Sequence, residues 1–172
     1  MDWQYLLYIA VISTSYVGFT AFFIALRQLI GSTADKVATW SMRYLITVAL
    51  CTTTTALLPP LLSTMMAAPL AIRISSGIAC LLMTRLDVVF VYRLPSIYKE
   101  PLGAWFWLLF IVALGVDVGF GACALGLLPG RELVAFSVAE TVELTVMFCY
   151  FANALRQLLP FEWERAARVE GL

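Results

Sequence analysis

Four carboxylic acids stand inside long apolar stretches of this sequence: Asp87, Asp117, Glu140 and Glu143. A charge at the centre of a bilayer costs about 2.5 to 3.5 kcal/mol on insertion scales, so such acids are expected to face a protein interior or a water-filled cavity. Glu140 and Glu143 lie one helical turn apart and share a face, with Ser137 and Thr141 beside Glu140. Two carboxylates held close in a low dielectric repel each other, and a proton or a cation is expected to neutralise the pair. Set against the four acids is Arg85, which leaves three formal negative charges in excess if all are ionised. Residues two apart do not share a helix face, so Arg85 points away from Asp87 and needs a counter-charge from another helix, Asp117 or Glu143.

The hydroxyls fall into a pattern around these acids. Arg73, Ser76, Gly77, Cys80, Thr84 and Asp87 recur at spacings of three and four, one continuous polar face of a helix. Ser13, Thr14, Ser15 and Tyr16 form a second group, and Thr52, Thr53, Thr54 and Thr55 a third. Counted inward from the expected outer helix ends, Ser13 to Tyr16, Cys80, Asp117, Glu140 and Glu143 share a layer roughly 10 to 17 Å below the outer surface, close to the midplane. Oxygen ligands of this kind suit protons and hard cations. The competing interpretation is interhelical glue, in which carboxyls bonded to Ser, Thr and Tyr hold a small bundle together.

Other chemistries find no support. The chain has no His, which removes His-ligated haem or zinc and a His-centred triad. Lys36 and Lys99 lie outside the apolar runs, and there is neither a GxxxxGK[ST] loop nor a GxSxG elbow. Cys51, Cys80, Cys123 and Cys149 contain no CxxC pair and are expected to behave as small hydrophobes. No cofactor is expected, a metal is left undetermined, and two carboxyls alone specify no reaction, so an enzyme is not expected.

The elements that must position these residues follow from composition. The 172 residues are 62% hydrophobic and 13% charged, with 11 basic and 11 acidic residues, whereas an ordinary globular chain is about 25% charged. Lipid is the expected solvent, and zero net charge removes nucleic acid as a partner. The fold expected is an all-α integral membrane protein, one transmembrane domain of five helices, with spans at 5–26, 44–58, 70–92, 102–128 and 133–155 and a short tail at 156–172. The second run reaches Pro59 and Pro60 after only about 22 Å, so it is expected to be short or broken there, with an apolar loop over 61–68 lying in the interface or dipping back.

Arg27, Lys36, Arg43, Arg93, Lys99, Arg156, Arg165 and Arg168 fall on one side of such a bundle, against Arg73 and Arg131 on the other. The positive-inside rule then puts the N-terminus outside and the C-terminus inside, with Trp40, Trp105 and Trp107 at the inner interface and Trp3 at the outer one. No basic n-region or lipidation motif marks the first span for removal or anchoring. Ala25-Leu26-Arg27-Gln28-Leu29 recurs as Ala154-Leu155-Arg156-Gln157-Leu158, consistent with two like-oriented helices or with chance.

Gly115, Gly119, Ala122 and Gly126 make a small-residue stripe expected to pack within the bundle or between subunits, with Asp117 turned away from it toward Gly121 and Ala124. The chain has the look of a small bacterial inner-membrane protein. The expected function is a homo-oligomeric channel or ion-coupled transporter. Its pathway would be built from Glu140, Glu143, Asp117, Ser13, Ser15, Tyr16, Thr52, Thr53, Thr84, Ser137 and Thr141, with Arg85 and Asp87 as an inner charged constriction. The alternatives are an assembly subunit of a larger membrane complex or a sensor relaying through a membrane-protein partner.

Overall fold

Backbone amides have no water to bond in hydrocarbon, so a chain this apolar satisfies them within helices. The computed structural model describes residues 3–29, 36–97 and 103–158, and among them the chain forms five α-helices. They are α1 (Gln4–Leu29), α2 (Lys36–Leu62), α3 (Ala68–Ile97), α4 (Ala104–Ala124) and α5 (Glu132–Leu158). Each contains a stretch of 21 to 27 residues long and apolar enough to cross a membrane.

Hydrophobicity does not distinguish the inside of this bundle from its outside. On α3 small and hydroxylated residues, Ala71, Ser75, Ser76 and Ala79, are buried beside Ile72, Met83, Phe90 and Leu94, whereas Leu81, Val88 and Tyr92 are exposed. On α1 the buried line is Leu6, Ile9, Ala10, Ser13, Tyr16 and Thr20, and Tyr8, Val11, Phe19 and Phe22 face outward. Lipid is as apolar as leucine, so small and polar residues mark the helix contacts. Helix α5 touches all four other helices, and α2 packs against α1, α3 and α5. One core cluster gathers around Phe120 and Phe136, whose rings are 5.5 Å apart, and a second around Tyr16, Met42 and Phe151.

Helix α2 departs from the sequence expectation. It is neither short nor broken at Pro59-Pro60: it begins at Lys36 and runs unbroken for 27 residues, carrying both prolines in its last turn. Two prolines this late remove only the hydrogen bonds that the Thr55 and Ala56 carbonyls would have received. The final carbonyls are then served from beyond the helix. The Ser63 amide donates to Pro59 at 2.9 Å, the Ser63 hydroxyl to Pro60 at 2.7 Å and the Thr64 hydroxyl to Leu61 at 2.7 Å. What reads as an apolar loop over 61–68 is the helix end, a short turn and the start of α3, with Pro69 in that helix's first turn, where its missing N–H costs nothing.

Helix α4 is shorter than its apolar run and ends at Ala124. The Leu127 amide donates to Ala122 and the Gly126 amide to Cys123, both at 3.0 Å, and Gly126 has φ +70°. That is a Schellman cap with glycine in the left-handed position. Gly126 is therefore a turn residue and not a member of the packing stripe. Its role is also steric, because the Arg73 guanidinium lies against it and bonds Glu132 at 2.9 Å, joining the start of α3, the end of α4 and the start of α5.

Of the residues on which the expected orientation rests, Lys99, Arg165 and Arg168 lie outside the described residues, as do the side chains of Arg27, Lys36 and Arg156 and the tail beyond residue 158. Trp105 and Trp107 are exposed at the start of α4. Trp40 instead stacks on Phe90 and Tyr44, with ring centroids 4.9 and 5.9 Å away.

A Cβ at Gly126 would sit 2.8 Å from the Arg73 guanidinium, whereas one at Gly130, with φ +74°, would meet nothing within 4 Å. Both Gly126→Ala and Gly130→Ala should cost about 1 to 2 kcal/mol for the left-handed backbone. Gly126→Ala should lower the thermal midpoint of the detergent-solubilised protein further, and equal losses would show that the Arg73 contact contributes nothing.

Candidate functional site

Helix periodicity turns the four acids inward from three different helices, with Asp117, Glu140 and Glu143 buried and Asp87 half-buried. Thr84 on α3 donates to the Asp117 carboxyl on α4 at 2.9 Å, and the Cys80 thiol reaches the Asp117 carbonyl at 3.5 Å. The α3 polar face meets α4 along its length: Cβ atoms built on Gly77 and Gly121 would lie 3.7 Å from Ala124 and 3.6 Å from Cys80. Asp117, Gly121 and Ala124 thus share the face turned to α3, as their spacing implies. One turn further along α3, Asp87 accepts a hydrogen bond from the Tyr44 hydroxyl of α2 at 3.1 Å. Glu143 of α5 is close enough to Asp87 and Asp117 for their charges to act on it, and it is 8% exposed.

Asp87 and Glu143 open onto a cavity of about 280 Å³ between α2, α3, α4 and α5. Its walls include Tyr44, Phe90, Phe106, Phe110 and Tyr150, and its far rim carries Ser41, Gly103, Trp105 and Asn153, near the helix ends opposite the Arg73–Glu132 pair. Counted along α5, Glu143 lies ten residues, about 15 Å, from Asn153, so the acids form the floor of a deep recess. The rings form a connected layer: Tyr44 to Phe90 is 4.5 Å, Phe90 to Phe106 is 5.6 Å and Phe106 to Tyr150 is 5.7 Å between centroids.

Glu140 stands one turn beyond Glu143, away from the rim. It is fully buried, and neither carboxyl oxygen has a hydrogen-bond partner. The hydroxyl of its neighbour Thr55 lies 3.0 and 3.1 Å from the Cys51 and Thr52 carbonyls of its own helix. Ser13 on α1 is likewise fully buried with its hydroxyl unpartnered.

Other expected pathway residues do not converge. Ser15 is exposed and donates to the Val11 carbonyl of its own helix. Thr52 and Thr53 bond back to Val48 and Ala49, and Thr53 lies 3.5 Å from Thr14. Tyr16 is held by edge contacts with Phe148 and Phe151 and reaches the Met147 carbonyl at 3.5 Å. Thr141 bonds the Ser137 carbonyl at 2.7 Å and the Tyr5 hydroxyl at 2.6 Å, tying α5 to α1. The Ser15, Thr52, Thr53 and Thr141 hydroxyls donate to their own backbones, as short polar side chains in helices do.

Arg85 corrects the expected constriction. It is exposed on the outer face of α3 and makes no ion pair among the described residues, so it forms no charged ring with Asp87 and neutralises neither Asp117 nor Glu143. Added Cβ atoms at Gly115 and Gly119 would meet nothing within 4 Å, so neither glycine is required for a helix contact within the protomer. Among the described residues no three His, Cys, Asp or Glu side chains are grouped to hold a metal ion. The aromatic layer escaped the sequence reading; its signal is the gathering of Trp40, Tyr44, Phe90, Phe106 and Tyr150 near one end of four helices.

Compared with family models, curated proteins and solved structures, the chain matches none of them.

A carboxyl buried without a partner destabilises a fold, whereas a hydrogen-bonded one supports it. Glu140→Met should therefore raise the thermal midpoint, by about 1 to 3 kcal/mol of stability. Thr84→Val, which strips Asp117 of its donor, should lower it by about the same amount. Loss of stability in Glu140→Met would show that the carboxyl is structural glue.

Proposed function

We propose that the protein is a small channel or ion-coupled transporter in which the carboxyls of Asp87, Asp117, Glu143 and Glu140 carry protons toward the middle of the membrane. The observation that carries this reading is Glu140: fully buried, without a hydrogen-bond partner, and one turn from an acid that lines a cavity. Glue would be hydrogen-bonded, and intramembrane acids that are not glue belong to ion and proton pathways. In this proposal Asp87 and Glu143 exchange protons with the cavity, Asp117 is oriented by Thr84 between them, and Glu140 is the innermost station. Protons are favoured over metal cations because a relay needs successive single carboxyls, whereas a hard metal ion needs six or more oxygens around one point.

The basic-residue count supports a topology with the N-terminus outside and the cavity rim facing inside, and composition and topology are in keeping with a bacterial inner membrane. The open Gly115 and Gly119 face supports a homo-oligomer. No catalytic step is part of the proposal. A second reading, an assembly subunit, is favoured by Arg85, whose uncompensated charge on an apolar outer face suits an acidic residue of a partner helix.

The test is proton flux into liposomes containing the purified protein, wild type against Glu140→Gln/Glu143→Gln at matched incorporation and thermal stability. Flux in the wild type should fall about tenfold or more in the double variant. Wild-type liposomes no leakier than empty ones, or a double variant as active as wild type, would overturn the proposal.

A further inference from the structure

The recess between α2, α3, α4 and α5 is more than a proton entrance, because its walls are of the wrong kind for that alone. Six aromatic residues line it, Tyr44, Phe90, Trp105, Phe106, Phe110 and Tyr150, and among the described residues its charged groups are Asp87 and Glu143, with no basic side chain in its lining. We propose that this recess is a binding site for a small organic ammonium ion, held by the carboxylates of Asp87 and Glu143 at its floor and by the aromatic walls above them. The inference rests on the transport reading and names the class of cargo that such a transporter would exchange for protons.

The chemistry of the walls decides the class. A metal ion or an alkali cation keeps a tight hydration shell and replaces it only with several oxygens grouped around one point. Here the polar groups are few and the rest of the wall is ring carbon. A substituted ammonium is weakly hydrated, bears its charge on a greasy surface and is attracted by the electron-rich faces of Trp, Tyr and Phe. About 280 Å³ accommodates a group of roughly ten heavy atoms, near the lower end of ordinary ligand pockets. An anion or a neutral polar solute would find two carboxylates and, among the described residues, no basic partner.

Glu143 points specifically to an absent cation. It is more than nine-tenths buried, lines the recess, and has no hydrogen-bond partner among the described residues. Asp87 accepts one bond from Tyr44, leaving further lone pairs for a ligand. Two acids facing one cavity repel each other, and a single ammonium or a pair of protons relieves both. Ammonium and protons therefore compete for the same carboxylates, which is what coupling of their movements requires.

Equilibrium dialysis of radiolabelled benzyltrimethylammonium against the full chain in an uncharged maltoside detergent tests the site. Neopentylbenzene, its neutral carbon isostere, serves as competitor. Saturable binding is expected, unaffected by the isostere. It should weaken about tenfold or more in Glu143→Gln and in Asp87→Asn, and several-fold in Phe106→Ala. Absence of saturable binding by the wild type, or displacement by the isostere as readily as by unlabelled cation, overturns the inference without recourse to any variant. Binding unaltered in both acid variants does so as well. The proton-flux experiment reads the other proposal separately: flux without ammonium binding leaves the proton pathway and removes this site, and binding without flux leaves the site and removes the transport.

Discussion

A carboxyl inside hydrocarbon has no solvent to turn to, so it must meet a hydrogen-bond donor, a cation, a proton or a cavity, and helices pack in whatever way supplies one. This requirement organises the bundle more than apolar burial does, since leucine is as comfortable against lipid as against another helix. Asp117 pulls the polar face of α3 against α4 through Thr84 and Cys80. Asp87 draws in Tyr44 from α2. Helix α5, bearing Glu140 and Glu143 in its apolar stretch, takes the position that touches every other helix. The arrangement leaves Glu143 at a cavity and Glu140 fully enclosed without a hydrogen-bond partner, its demand unmet.

The hydroxyls explain why that demand is left open. A serine or threonine in a helix can return its proton to the carbonyl one turn back, and Thr14, Thr20, Thr47, Thr52, Thr53, Thr54, Ser75 and Ser76 all do so. Each becomes self-contained and able to tolerate lipid or a helix contact. The same bond competes with donation to a neighbouring acid, as at Thr55 beside Glu140.

Much of this was legible in the residues. Five helices followed from apolar run lengths, and the α3 polar face and the direction of Asp117 followed from spacings of three and four, because an α-helix converts spacing into direction without reference to its neighbours. Where the reading went astray, the determinant was not local periodicity. Pro59 and Pro60 read as a break because the apolar run begins at Tyr44, but the segment from Lys36 to Arg43 is helical too, which moves the prolines into the last turn. Gly126 looked like a member of a helical stripe because the helix end at Ala124 is set by a hydrogen-bonded cap. Arg85 was expected inside because its charge is costly outside, and the structure exposes it nonetheless. The recess has no sequence spacing at all: its rings come from four helices and meet only through packing.

The ion pair of Arg73 with Glu132 and the aromatic recess lie at opposite ends of the same helices, and that separation makes the bundle a lever. Three helices are fastened together at the Gly126 turn, where a guanidinium fills the space that a side chain would need. From this fulcrum to Asn153, α5 extends about 32 Å, so a tilt of roughly 5° at the fastening displaces the recess rim by about 3 Å. That is comparable to the width of a water molecule. A small change of tilt at the fastened end would be amplified where the aromatic walls stand.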